Sequence, residues 1–471
     1  MGDTLEEQPT GGLLQDNFHL DSRLRPDNFQ VLDEIDSRLQ ISLDPIGSRG
    51  PYSAGDKIIF KWQDHSALLD TTTSSFLIEV ENTSATTSAD PLQYKFSDGM
   101  NLLFNDVEIL HGGQVIESTG REGSRLSQHL MLATSSQNHY DTECNALLKS
   151  YKYRSFLSKY EVSRALVGDA IVTGVDPTGT AGDRAVFKDK DLTWIKSEDG
   201  RKFQALVHLD HLSFFRNANF KAGFIEYEFK ITLPDATKIM EKIDGLGAGE
   251  PSYKVNSMSF LADQIYPSSN ILDSLHNSIT HTEAGLTMIL DDAVQVITHP
   301  LVNDVKNSFV FSIPLSNIQG LVGFIVNKSD HKDVDNVNSA PLPALKSYNI
   351  QVQNTELGVR NGVTGGLETA YAQYRKLYNM LTDVGGQGLM DFNRFKTHHT
   401  PLCLSTEILR DAPASVLRNS LETQSRSGQL QANFELENVD GDNSLANKQL
   451  LMYVFHKRII NVAESLVKVG K

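Results

Sequence analysis

Cysteine is scarce in this chain. Cys144 and Cys403 are the only two in 471 residues, which excludes a disulfide framework and a zinc-binding cysteine set. They are expected to be reduced, partly buried thiols, which suits a reducing compartment. Tryptophan is equally rare, at two residues, Trp62 and Trp194. No apolar run approaches the ~20 residues that span a bilayer. The longest, "LLMYVF" at Leu450–Phe455, has the length of a strand. The opening "MGDTLEEQPTGGLLQDNF" lacks the basic-then-apolar pattern of a secretion signal. Glu6 breaks the myristoylation pattern that Met1-Gly2 begins. A soluble protein is expected.

Positive charge is in deficit. Lys and Arg number 43 against 59 Asp and Glu, giving a net charge of −16 and a pI near 5.3. Such a surface does not attract phosphates, which argues against nucleic-acid binding by the whole chain. A local basic inner face would escape that average.

Recurrent catalytic motifs are missing too. There is no G-x-S-x-G, no Walker loop and no G-x-G-x-x-G after a strand. Paired carboxylates occur at Asp291-Asp292, but adjacent strand residues point to opposite faces, and glycosidase chemistry needs two that face one another. His208 and His211 in "VHLDHL" have odd spacing on an expected strand and face opposite sides. His398-His399 precede a Pro-bounded strand and read as loop residues rather than metal ligands. Asp330, Asp333 and Asp335 share one polar loop without EF-hand spacing, so a solvated loop is expected there, as for Asp440 and Asp442. Cys144 has His139, Asp141 and Glu143 nearby, and the acids would raise a thiol pKa rather than activate it. The sequons at Asn82 and Asn327 matter only in a secreted protein. The expected set of catalytic, cofactor-binding and metal residues is therefore empty, which favours a structural role over an enzyme.

What the chain does have is a core and a rhythm. Hydrophobic residues make up 39% and charged residues 22%, as in globular proteins, and the length implies two domains. Residues 1–30 are acidic and aperiodic and read as an arm. Short strand-like runs with turn residues between them follow, including 57–62, 75–82, 204–215, 224–233, 253–262, 285–301, 308–315, 321–327, 347–354, 401–409, 428–438 and 449–462. That spacing points to sandwiches or barrels. In "FNDVEILHGGQVIESTG" (104–120), Gly112-Gly113 closes an expected hairpin of Val107–Leu110 with Gln114–Glu117. Helical spacing follows over 121–133, at Leu126, His129, Leu130 and Ala133. A second amphipathic helix is predicted over 367–381, with Leu367, Ala370, Tyr371, Tyr374, Leu377, Tyr378 and Leu381 on one face. The order strand, helix, strand, strand thus occurs twice, "LVHLDHLSFFR" matching "LCLSTEILRD". A tandem duplication is the simplest account. The glycine-rich stretch at 234–252 reads as the boundary.

With these features, the phrases "LLFNDVEILHGGQVIES", "FVFSIPLSNIQG", "LETAYAQYRKLYNML" and "GQLQANFELEN" resemble the double jelly-roll major capsid proteins of Polinton-like viruses, adintoviruses and virophages, over about residues 31–465. The resemblance implies an all-β chain of two tandem eight-stranded jelly-roll sandwiches, with short embedded helices and long loops. It places an arm at 1–30, a first jelly roll at 31–240 and a second, with a C-terminal tail, at 241–471. It implies a homotrimeric, pseudo-hexameric capsomer tiling an icosahedral shell around double-stranded DNA. The loops at 165–202 and 327–346 would be outward towers. Implied partners are the chain itself, neighbouring capsomers, and penton and minor capsid proteins, with the genome met only indirectly and no cofactor. Implied location is the virion, assembled inside the host cell. The alternative is a secreted glycan-binding or glycan-cleaving double jelly-roll protein, which would need exposed Trp platforms or facing carboxylates.

Overall fold

The computed structural model describes residues 35–84, 94–96, 100–123, 125–127, 130, 165–167, 170–173, 185–187, 202–217, 219–242, 250–281, 285–312, 318–327, 345–352, 355–357, 367–381, 392, 395, 402–405, 429–440, 444–463 and 466–469. The expected arm at 1–30, most of the loop at 165–202 and most of the loop at 327–346 lie outside them.

The first sandwich uses β1 (Ile35–Leu43), β2 (Lys57–Asn82), β3 (Asp106–His111), β4 (Gln114–Ser118), β5 (Lys202–Val207), β6 (Lys221–Thr232) and β7 (Tyr253–Pro267). β2 is long enough to serve both layers. Its first part, 57–64, pairs with β6, beyond which lie β3 and β4. Its second part, 68–82, pairs with β7 on one side and on the other with the start of β6 at 68–69 and with β5 at 76–81, and β1 pairs with β7. Counted by part, this gives two antiparallel layers of four strands. Within the ladders Phe60 pairs with Phe229 and Phe76 with Phe260. The two pairs meet ring to ring, Phe60–Phe76 at 5.5 Å and Phe229–Phe260 at 5.0 Å, so the layers face one another across an aromatic core. The change of layer falls where the β2–β6 register slips on either side of Gly223. A Cβ there would sit 2.4 Å from the Asp64 carbonyl oxygen, so this close backbone approach requires glycine.

The expected hairpin is present. β3 and β4 close at His111 opposite Gln114, and Gly112 and Gly113 have φ of +54° and +79°. Positive φ at both central residues is the two-residue turn that matches strand twist.

The second sandwich uses β8 (Leu286–Pro300), β9 (Lys306–Ser312), β10 (Ile318–Asn327), β11 (Leu345–Val352), β12 (Thr355–Leu357), β13 (Leu402–Ser405), β14 (Gln429–Leu436), β15 (Lys448–Ala463) and β16 (Leu466–Val469). One sheet runs β8-β15-β10-β13 with β16 on β15, and the other runs β9-β14-β11-β12. Every residue of β15 from Leu450 to His456 is buried. This explains the apolar run, since neither face meets water and alternation has no purpose. Phe309, Tyr348 and Phe434 of the facing sheet share its core, as do helical residues.

The helices are α1 (Ser213–Arg216), α2 (Ala236–Ile239), α3 (Ser269–His281) and α4 (Leu367–Leu381). α4 has the bounds that its periodicity predicts, and Ala370, Tyr374 and Leu377 are its core face. Gly123, Arg125, Leu126, Ser127 and Leu130 are helical, as expected within 121–133. α3 is new. Ile271, Leu272, Leu275 and Ile279 carry its periodic signal, and Leu275 and Ile279 enter the first core.

Three expectations need correction. The run at 204–215 is not one strand: β5 ends at Val207, a turn follows, and Ser213–Arg216 is helical. The proposed match of "LVHLDHLSFFR" to "LCLSTEILRD" as two strands therefore fails. Second, the stretch at 234–252 is no break between sheets. α2 occupies part of it, with the Asp235 side chain accepting from the Thr237 amide, and Met240–Lys242 pairs with Tyr94–Phe96. Third, β7 lies beyond the expected division at 240/241, yet pairs with β1 and β2 in the first sandwich.

Candidate functional site

Polar groups with unusual environments collect where the two sandwiches join. The β8–β15 ladder serves both cores. Leu286, Met288, Leu290 and Ala293 of β8 and Ile460 and Val462 of β15 belong to the first core, whereas Val294 and Leu450–Phe455 belong to the second. The register slips between Leu290 and Ala293, so Asp291-Asp292 form a bulge at the crossing point. Leu126 and Leu130 pass the other way, from the first half of the chain into the second core.

Glu117 on β4 is 1% exposed and accepts from the Ser213 amide at 2.8 Å and the Phe214 amide at 2.9 Å. Its carboxylate thus caps the start of α1. Burial raises its pKa, and the two amide bonds and the charges of Arg216 and Arg458 work against that. Arg458 reaches across from β15 to donate to the Ile116 carbonyl. Burial lowers its pKa and Glu117 opposes the change. The Arg458 guanidinium thereby ties β15 to a backbone carbonyl of β4, next to the residue whose carboxylate caps α1.

Two buried histidines lie on β15 and on β3, the strand paired with β4. His456, on β15, is held down to about 4 chiefly by burial and then by Arg458. His111 is also held to about 4 by burial, against a hydrogen bond with the Glu226 backbone. Its ring stacks on Tyr227 at 3.9 Å, and the Tyr227 hydroxyl donates to the Met288 sulfur at 3.9 Å. Lys221 donates to the Asn219 carbonyl at 2.6 Å, and Asn217 donates to the Ile289 carbonyl at 3.1 Å. On the far side, the Tyr453 hydroxyl donates to the Glu122 carbonyl at 2.9 Å. Each of these contacts holds backbone or ring in place. Chemically the arrangement is a joint.

The residues weighed in the sequence do not converge. His208 lies 3.2 Å from the Thr71 carbonyl and His211 is buried, both in the turn after β5 rather than on opposite faces of a strand. Trp62 is 2% exposed in the first core and offers no stacking platform. Asn82 is buried, and its side chain accepts from the Ser84 amide. Asp440 is exposed. Cys403 sits on β13 opposite Val322. Asn327 ends β10. His139, Asp141, Glu143, Cys144, Trp194, Asp330, Asp333, Asp335, His398, His399 and Asp442 lie outside the described residues. Among the described residues, no group of three or more His, Cys, Asp or Glu is placed to hold a metal ion, and no helix is long and apolar enough to cross a membrane. Sequence reasoning missed Glu117, His111, His456 and Arg458. Their one signal is a polar residue set among apolar strand neighbours, as in "LLMYVFHKRII".

No family model matches the chain, and no curated protein matches its sequence. Solved structures do match it. The Sputnik virophage structure aligns at a TM-score of 0.57 and 12% identity, over 100% of this chain and 93% of that one. VP54 of PBCV-1, fitted into a reconstruction of Sputnik, aligns at 0.55 and 12%, over 92% and 96%. The Faustovirus major capsid protein aligns at 0.51 and 9%, over 91% and 90%. The fold is a double jelly roll. The alignments cover both sandwiches and nearly the whole of each compared chain.

Proposed function

We propose that this chain is the major capsid protein of a double-stranded DNA virus of the Polinton-like, adintovirus or virophage kind. The observation that carries this reading is the full-length likeness in fold to capsid chains of Sputnik, PBCV-1 and Faustovirus. A chain with two upright sandwiches suits a homotrimer with a pseudo-hexagonal outline, because six sandwiches from three copies fill a six-neighbour position. Such capsomers would tile an icosahedral shell, meet penton and minor capsid proteins at its edges, and enclose the genome without reading it. The net charge of −16 accords with indirect contact with DNA. The role is structural rather than enzymatic, it belongs to the virion, and assembly takes place inside the host cell.

Native mass spectrometry of the purified full chain tests this reading. A mass of three copies, and pseudo-hexagonal particles by electron microscopy, are expected. A monodisperse monomer at micromolar concentration and above would overturn it.

A further inference from the structure

The outward face of β9–β14–β11 carries little charge over most of its length. Phe309, Ala432, Phe434, Tyr348 and Ile350 point into the second core, so their alternate neighbours point out. Six of these neighbours carry no charge: Ser308, Val310, Gln431, Asn433, Asn349 and Gln351. They are not independent. The Ser308 hydroxyl donates to Asn433 Oδ1 at 2.6 Å, Gln431 Nε2 donates to Ser308 Oγ at 3.0 Å and to Asn433 Oδ1 at 3.1 Å, and Asn433 Nδ2 donates to Asn349 Oδ1 at 2.8 Å. One cross-strand network therefore fixes the side chains over three strands. Val310 stands 55% exposed beside it, on β9, which among the described residues pairs with β14 alone. Charge is confined to one end of the face, where Lys346 and Lys306 lie 2.7 and 4.0 Å from Glu435, with Glu437 exposed beyond. Two cations and two anions balance there. The outward side of β2–β6–β3 is the opposite case, with Lys61 2.6 Å from Glu226, Lys230 3.1 Å from Glu228 and Lys57 4.0 Å from Glu108.

We infer that the β9–β14–β11 face is a contact surface between copies of this chain. The partner follows from charge. Two copies carry −16 each and repel, so they approach most cheaply through a face that is itself neutral. Interface centres are depleted of charge for the same reason that charged groups are costly to desolvate. The hydrogen-bonded network adds pre-organisation, because side chains already held lose little freedom on contact. In a closed ring the contact is heterologous, so this face meets a different surface of the next copy.

The inference rests on the self-assembly proposed above, and the test separates the two. Sedimentation velocity of the full chain is compared with S308K/N433K, which places cations in the centre of the face, and with K61E/E226K, which reverses an ion pair on the other sandwich. The first variant is expected to dissociate with a Kd about 100-fold higher or more, and the second to match wild type. V310K, at an exposed position, is read the same way if the double variant melts early. Wild-type oligomers that persist in S308K/N433K and V310K overturn this inference and leave self-assembly standing. Oligomers that persist while adsorption to glycans or cells is lost assign the face to another partner and overturn it too. A wild-type monomer at every concentration overturns both.

Discussion

Phe229 and Phe260 lie in opposite layers of the first sandwich with ring centroids 5.0 Å apart and planes inclined at 51°. Each is also a ladder partner of another core phenylalanine, Phe60 and Phe76 respectively. The four rings thus lock strand register and layer spacing together. Phe260→Ala would remove a ring in contact with Phe60, Phe76, Phe215 and Phe229. A loss of about 3–5 kcal/mol is expected, read as a lower denaturation midpoint with an unchanged urea slope. A loss under about 1 kcal/mol would mean that the layers do not meet there.

Tyr374 of α4 is 1% exposed and packs 5.4 Å from Phe395 and 6.1 Å from Tyr371, ring centroid to centroid. Its helix lies against β13. Tyr374→Ala should cost about 3 kcal/mol and lower melting temperature and oligomer yield together. Normal melting with loss of some ligand would instead make the aromatic stripe a binding surface.

Much of this was readable from residues 104–120 and 367–381, where turn chemistry and helical period speak for themselves and local signals agree with the fold. The failures have common physical causes. α1 is a single turn held by Glu117 from another strand, so its sequence "SFFR" has no period to show and reads as strand. β7 looks like any alternating strand, and its pairing with β1 and β2 is a long-range choice that periodicity does not encode. The joint was invisible because Glu117 lies more than 300 residues before His456 and Arg458 in the sequence, and one polar residue in an apolar run carries no sign of its partner.

Acid should weaken the joint. His111 and His456 have folded-state pKa values near 4, below the ~6.5 of an unfolded histidine. Above about pH 6.5 both states are neutral. Between 6.5 and 4 the unfolded state binds protons that the folded state refuses, so stability falls with pH, by up to about 3 kcal/mol per histidine at the low end. Glu117 acts with the opposite sign. Its raised pKa means the folded state takes up a proton more readily than the unfolded one, which offsets part of the loss. Urea midpoints between pH 7.5 and 4.5 should fall more steeply in wild type than in His456→Leu. Parallel profiles would show that His456 does not couple folding to pH.

The shared ladder makes a stronger demand on cooperativity. Because β8 and β15 supply both cores, neither sandwich can unfold without stripping apolar surface from the other. Calorimetry of the wild-type chain at neutral pH should therefore show one transition, despite a length at which separate domain transitions are common. Arg458→Met removes the bond to the Ile116 carbonyl and the cation that opposes Glu117 burial, while keeping apolar volume. It should lower the melting temperature, because the buried carboxylate then keeps only its two amide bonds and the Arg216 charge. Arg458→Met combined with Glu117→Gln should recover much of that loss, since a neutral amide needs no counter-charge. Equal destabilisation in the single and double variants would mean that the penalty comes from packing alone. Two resolved transitions in the wild-type chain would mean that the ladder does not join the sandwiches into one folding unit.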